Sequence, residues 1–267
     1  MSVFESKTMN INFKKAVSYL TFKNLESYNF FKHAYSTRLG GISSDEFKSL
    51  NLGFKTKDSF ENVNKNFDIF CDAFGTERKN LAITSQIHGD KIKCIHKNEV
   101  DSFTEFDGYD GLITDEAGIS LATFHADCLA VYMIDVKKKV VGLAHAGWRG
   151  TVKSIAVKLA EKFISTYNSS INDIVCALGP SIGKCCFEVS SDTIEEFKKL
   201  AIPETYIFEG NKISLSEVNK QLLIKFGMKK ENIFTSDVCT MCNHDLLFSH
   251  RKTGGKRGTN AAFISIL

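Results

Sequence analysis

The chain has 267 residues, with 34 Lys and Arg against 31 Asp and Glu, and so carries a formal charge of +3. With 43% apolar and 24% charged residues it lacks the low hydrophobicity and high net charge of a disordered chain, and so small a charge exerts no general pull on nucleic acid or an anionic membrane. A chain of this length buries roughly 70–75% of its unfolded surface, enough for a sizeable core.

Glu5 falls where an apolar signal core would begin, and no basic run precedes it, which argues against a secretory signal. The most apolar stretch, 119–136, is interrupted by His125, Asp127 and Asp135, which argues against a membrane span. A cytoplasmic protein is expected. Short strands are expected at 17–22, 33–38 and 49–54, punctuated by Gly40-Gly41 and Gly53. Asp58 with Glu61 reads as a capping box. It opens a helix on which Phe60, Val63, Phe67, Phe70 and Phe74 form one buried stripe, closed by Gly75. Strands at 81–85 and 90–96 flank the turn Gln86-Ile87-His88-Gly89.

The runs 119–124 and 129–136 read as buried strands, 137–139 as an exposed hairpin turn and 140–144 as the returning strand. After Gly147-Trp148-Arg149-Gly150, the residues Val152, Ile155, Ala156, Leu159, Phe163 and Ile164 line one helix face. A strand at 174–178, a helix at 191–200, a hairpin at 206–215 and a helix at 217–226 follow. Strands at 246–250 and 261–267 flank a Gly- and Lys-rich loop. Strands outnumber helices and no regular βαβ alternation runs through, so an α+β fold with mixed β-sheets, one domain over 1–267, is expected.

No P-loop, Rossmann fingerprint, nucleophile elbow or H-E-x-x-H motif is present. Eight cysteines in a chain without a secretion signal read as packed thiols or metal ligands rather than disulfides. Three segments stand out: Gln86-Ile87-His88-Gly89, His125-Ala126-Asp127-Cys128 and His145-Ala146-Gly147-Trp148-Arg149-Gly150. Each sets a His or Cys at the end of an apolar strand, where a side chain emerges into a cleft. A hairpin turning at Lys138 puts residue 148 opposite Cys128, close to His145, so these two could share one metal ion with His88 arriving from a separate strand. Two imidazoles and a thiolate suit Zn²⁺ and leave a fourth position open, where a metal can activate water or polarise a substrate oxygen. By spacing alone three unconnected residues are the commoner outcome, and a metal-free hydrolase with Cys128 as nucleophile and His145 as base or a non-catalytic interaction protein are further readings.

Other residues carry paired readings. Asp127 could orient a ligand imidazole or act as general base. Arg149, before a helix N-terminus, suits phosphate or a structural carboxylate. Arg38 and Asn51 could hold ribose or phosphate, or stabilise their turn. His125 could be a fourth ligand, a proton shuttle or a hydrogen-bonded structural His, the last being favoured. Cys239-Thr-Met-Cys242 resembles half a zinc site whose complement only Cys185-Cys186 could supply; packed thiols are preferred. The basic run 250–257 lacks aromatics and reads as a solvated loop rather than a nucleic-acid patch.

Taken in order, Thr37-Arg38-Leu-Gly-Gly41 with Ser49-Leu-Asn-Leu-Gly53, the three segments above, Gly179-Pro-Ser-Ile-Gly-Lys-Cys-Cys186 and Cys239-Thr-Met-Cys242 resemble the signature segments of the YfiH/YlmD family, from about residue 33 to the C-terminus. The resemblance implies a layered α/β/β/α fold. Its implied activity is zinc-dependent purine nucleoside phosphorolysis (adenosine, inosine, guanosine, methylthioadenosine) with adenosine deamination, so that purine nucleosides and phosphate are the partners. Carried over, the zinc ligands are His88, Cys128 and His145. Some members are described as peptidoglycan-editing factors, an alternative hydrolase role. Members have also been labelled multicopper polyphenol oxidases; with seven His, none in H-x-H pairs, this chain is poorly equipped for a multicopper cluster. His125 stands where many relatives have Thr, and Ala130 where many have Pro.

Overall fold

The structure, a computed structural model, describes residues 4–267. In chain order its elements are β1 (Met9–Lys14), β2 (Val17–Phe22), β3 (Phe31–Ser36), α1 (Phe60–Phe74), β4 (Leu81–Ser85), β5 (Ile92–Cys94), β6 (Thr104–Asp107), β7 (Gly111–Thr114), β8 (Ser120–His125), β9 (Leu129–Asp135), β10 (Val140–Ala146), α2 (Trp148–Val152), α3 (Ile155–Tyr167), β11 (Ile174–Leu178), α4 (Ser191–Lys198), α5 (Glu204–Ile207), β12 (Phe208–Glu209), β13 (Lys212–Ile213), α6 (Leu215–Phe226), β14 (Ile233–Thr235), α7 (His250–Thr253) and β15 (Asn260–Ile266). One mixed sheet runs β1-β2-β3-β15-β8-β4-β6 and the other β14-β11-β9-β10-β7-β5.

Side-chain alternation along the central strands stacks these sheets into layers. Leu129, Val131 and Met133 of β9 face α3 and α6, meeting Ile155, Leu159, Phe163, Val218 and Leu222. The intervening Ala130, Tyr132 and Ile134 face the other sheet, meeting Leu20, Phe22, Leu121 and Ile264. On the far side, Phe263 and Ala122 meet Val63, Phe67 and Phe70 of α1. The result is the layered α/β/β/α arrangement implied by the resemblance. Strands between two apolar layers must be apolar throughout, and β9, β10 and β15 are buried at every residue. At Gly142 a Cβ would meet Phe163 at 2.8 Å and Leu159 at 3.0 Å, so α3 can lie this close to β10 only over a glycine. Among the described residues no helix is long and apolar enough to cross a membrane.

Several expected elements shift. The α1 cap is Ser59, which accepts from the Asn62 N–H, while Asp58 accepts from Ser43, Asn51 and Asn62. Phe60, expected in the core, is 71% exposed and leans on Phe54. The expected helix after Gly150 is two helices, because Ser154 adopts a left-handed backbone (φ 60°) between α2 and α3. The expected strands 49–54 and 246–250 are loops whose partners are side chains and isolated carbonyls: Ser49 and Leu50 N–H groups both reach Arg38 O, and Asn260 brackets Phe248 N–H and C=O.

Candidate metal centre and cleft

The β9–β10 hairpin pairs His145 with Ala130 and Ala146 with Leu129, so Gly147 lies one step beyond, level with Cys128 and one residue from the expected register. His88 arrives from the turn after β4. Its segment is held against the end of β8 by Gln86, whose Nε2 donates to Phe124 O (2.8 Å) and whose Oε1 accepts from Phe124 N (2.6 Å). That side chain extends the parallel β4–β8 pairing where the two backbones part, which explains a glutamine two residues before the histidine. Both corners are left-handed, His88 at φ 58° and Asp127 at φ 86°, a conformation that costs energy for a side-chain-bearing residue and tends to be kept at functional sites.

The structure brings His88, Cys128 and His145 together: one nitrogen from each imidazole and the sulfur lie within 4.8 Å of one another. Asp110, which the sequence reading missed, organises all of this. Its buried carboxylate accepts from His145 Nδ1 through Oδ1 (2.9 Å) and from the Ile87 and Gly89 N–H groups through Oδ2 (3.1 and 2.8 Å), while its carbonyl accepts from His145 N (2.7 Å). One aspartate thus fixes the His145 ring, leaving Nε2 for Cys128, and pins the His88 turn. Burial would raise its pKa, but the His145 hydrogen bond and the Gly89 and Ile87 amides hold it below the ordinary carboxylate value. Its only sequence signal is a carboxylate opening the apolar run Gly111-Leu-Ile-Thr114, and that strand, β7, was itself not anticipated. Partners of this kind typically support metal affinity or activity by about 10–100-fold. An Asp110→Asn protein is therefore expected to lose about 10–100-fold in Zn²⁺ affinity, measured by competition with a chromophoric chelator; unchanged affinity would show that the aspartate only supports the backbone.

Without metal, the trio is an ion pair. Burial alone would push the Cys128 thiol up, but the His145 charge and hydrogen bonds from His145 and His88 bring it down to about 6. Burial would lower His145, yet Cys128 and Asp110 raise it to about 9. The thiolate is the form that ligates metal, and the His145 proton is the one an arriving cation displaces. Because the thiol pKa is lowered, the charged form dominates above about pH 6. Iodoacetamide alkylation of Cys128 in chelator-treated protein should therefore plateau from about pH 7 upward, followed by peptide mass spectrometry. A rate still climbing through the ordinary thiol range near ~8.5 would contradict the ion pair.

A resident ion fits the space. At Gly147 a Cβ would fall 2.8 Å from His88 Nδ1 and 3.1 Å from Cys128 Sγ, so glycine keeps a hollow open between the donors. His125 is no donor to it: the buried ring shares a hydrogen bond with Thr123 Oγ1 (Nε2, 2.8 Å) and donates from Nδ1 to Cys128 O (3.1 Å). Burial first, and the nearby His145 charge second, hold it well below the ordinary histidine value, the hydrogen-bonded structural role favoured from sequence.

The trio opens onto a cleft of about 440 Å³, within the usual range for small-molecule sites. Ile83, Phe124, Trp148, Ile182, Phe187 and Leu215 form apolar walls, Lys55, Arg251 and Arg257 bring positive charge, and His250 adds an imidazole. The basic run 250–257 is therefore not merely a solvated loop. Ser249 caps α7, turning His250 and Arg251 to the cleft, and Arg257 Nη1 is held by Gly258 O and Thr259 Oγ1 while its buried Nε has no partner among the described residues.

Other sequence candidates stand elsewhere. Asp127 lines the cleft, but its oxygens accept from Thr240 Oγ1 (2.6 Å) and Arg251 N (2.7 Å); the imidazole-orienting contact expected of it belongs to Asp110. Asn51 is fully buried, the four hydrogen bonds of its side chain going to Gly53, Thr259, Thr56 and Asp58. It shapes the cleft only through Gly53 and Thr259. Arg38 donates to Lys48 O and His244 O and covers Phe248, a turn-stabilising role. Arg149 is exposed and stacks over Trp148 at 4.1 Å, and neither arginine lines the cleft.

A family model described as multi-copper polyphenol oxidoreductase laccase matches residues 32–267. The chain is 30% identical over 244 residues to the Bacillus subtilis purine nucleoside phosphorylase YlmD, covering 87% of each chain. The crystal structure of YlmD from Geobacillus stearothermophilus superposes with a TM-score of 0.89 at 30% identity, covering 96% of this chain and 98% of the other. That of the Bacillus licheniformis hypothetical protein YfiH also gives 0.89 at 30% identity, over 96% and 99%. On a match that runs through the site just described, the chain belongs to this laccase-type family, in the company of YfiH and YlmD.

Proposed function

We propose that the protein is a zinc-dependent purine nucleoside phosphorylase, with adenosine deamination as a second reaction of the same cleft. The observation that carries the reading is the convergence of His88, Cys128 and His145 in a cleft lined by apolar and by cationic side chains; the purine nucleoside phosphorylase names of similar proteins agree with it. His88, Cys128 and His145 would hold Zn²⁺, and the ion when bound supplies a Lewis acid for phosphate or for the purine-attacking water. The family's description raises copper, and two imidazoles with one thiolate also occur in blue-copper sites. Those add a weak axial ligand, commonly a thioether, however, and among the described residues no methionine lines this cleft, while of the described histidines outside the trio only His250 and the hydrogen-bonded His125 line it.

The chain's own groups divide the remaining work. Phe124, Ile83 and Phe187 offer flat or apolar surface for a purine, since bases stack well on aromatic faces. Arg257, Lys55 and Arg251, which all line the cleft, suit a phosphate dianion, which guanidinium groups bind in a forked, charge-assisted fashion. Burial lowers the Arg257 pKa from its ordinary value, opposed by Cys128 and Asp127; the guanidinium stays charged at any working pH. His250 sits below the ordinary histidine value through burial and the charges of Arg257 and Arg251, so it faces the cleft neutral and adds no repulsion to an arriving cation. The test is product identity. With inosine, the reading expects hypoxanthine release that requires inorganic phosphate and yields ribose 1-phosphate in equal amount. Base release independent of phosphate, or oxidation of phenols with copper bound, would displace it.

A further inference from the structure

A second group of donors lies outside the cleft. Cys185, Cys186, Cys239 and Cys242 present sulfurs that all lie within 4.8 Å of one another, and none of them lines the cleft. Topology brings them together: β11 and β14 are parallel neighbours, so the loops that follow them leave the sheet side by side. An isolated parallel bridge joins Ser181 to Cys239, and Thr240 N donates to Ser181 O (3.0 Å). The first loop then makes a tight turn, Cys186 N and Phe187 N both reaching Gly183 O (2.9 and 3.0 Å), which lets two consecutive cysteines converge. The second contributes its pair through a two-residue gap.

The dimensions suit one ion. Cys185 and Cys242 sulfurs are 3.7 Å apart, and Cys186 and Cys242 sulfurs 3.5 Å. A tetrahedron with ~2.3 Å metal–sulfur bonds has edges of about 3.8 Å. Gly183 N donates to Cys239 Sγ at 3.2 Å, an amide–sulfur bond that offsets accumulated thiolate charge. A Cβ on Gly183 would approach both Cys185 Sγ (3.2 Å) and Cys239 Sγ (3.4 Å), so glycine is again what lets backbone pass beside the donors. Packed apolar thiols, the role preferred from sequence, fit poorly, since Cys185 and Cys242 are exposed.

We propose that Cys185, Cys186, Cys239 and Cys242 bind a single Zn²⁺ ion in a closed four-thiolate site. Four soft ligands select zinc over harder divalent ions and leave no position for substrate, so the ion is structural. It clamps the loop bearing Ile182 and Phe187 of the cleft wall to the loop bearing Thr240, which holds Asp127.

The test counts metal per chain in full-length protein purified without added metal. Wild type should carry one ion more than Cys242→Ser and one more than Cys185→Ser, and Cys128→Ala should keep that ion, which separates this site from the cleft. Reconstitution with Co²⁺ of Cys128→Ala protein, which leaves no thiolate in the cleft, should still give the thiolate charge-transfer absorption of a tetrahedral sulfur site, and adding Cys242→Ser should abolish that four-sulfur spectrum. Should that variant fail to fold, alkylation of Cys185 and Cys242 in wild type serves: zinc should protect both, and a chelator should expose them. Zinc wholly lost in Cys128→Ala, thiols alkylated equally with and without zinc, disulfides among the four, or iron in place of zinc would each overturn the proposal.

Discussion

Cys128→Ala protein is expected to lose at least ~10³-fold in kcat/KM for phosphate-dependent cleavage of inosine, together with the ion of the cleft. Lewis-acid stabilisation is worth several kcal/mol, and about 1.4 kcal/mol is a decade in rate. Two imidazoles alone do not close the site, because the sulfur is the donor charged at neutral pH without metal, its pKa lying near 6. The substitution should leave the fold intact. Cys128 is only partly buried, and the one contact its backbone makes to the surrounding network, accepting from His125 Nδ1, survives in alanine. Kinetics, metal content and thermal melting measured together separate the outcomes; a folded variant within tenfold of wild type would remove the metal from the reaction.

Gly147→Ala should damage the site by a different route, with a loss of about 10²-fold or more, the usual consequence of a misplacement near 1 Å at a reacting centre. The backbone there is ordinary for any residue, φ −69° and ψ 175°, so alanine brings no conformational strain. Its methyl group, however, would press on His88 Nδ1 at 2.8 Å, closer than such atoms approach, and crowd Cys128 Sγ at 3.1 Å. The donors must spread. An unchanged melting temperature with lowered zinc affinity and rate is the expected signature; a variant that binds zinc and turns over like wild type would show that the hollow is not where the ion sits.

What could be read in advance follows the range over which each feature is determined. The β9–β10 hairpin came within one residue of its register because a run of apolar residues, a lysine turn and a second apolar run are local facts. The same locality made β2, α1 and β11 legible. The trio could be suspected because each member ends an apolar strand, and its family motifs named the same residues. Asp110 was invisible because its meaning lies in His145, far along the chain, and in two amides of a turn. Asn51 and Arg38 looked like substrate contacts because short polar residues among glycines suit either a ligand or a turn; only the closed set of four partners around Asn51 decides. The four-cysteine cluster was half readable as Cys239-Thr-Met-Cys242, but its other half depends on β11 and β14 being parallel neighbours, and β14 was not foreseen.

The most direct measurement follows phosphate-dependent hypoxanthine formation from inosine while a chelator removes the cleft ion and Zn²⁺ is added back. The account predicts that activity falls with the metal, returns on adding zinc to wild type, and does not return in His145→Ala protein. Full activity in metal-free wild type, or zinc-independent activity in His145→Ala, would contradict it.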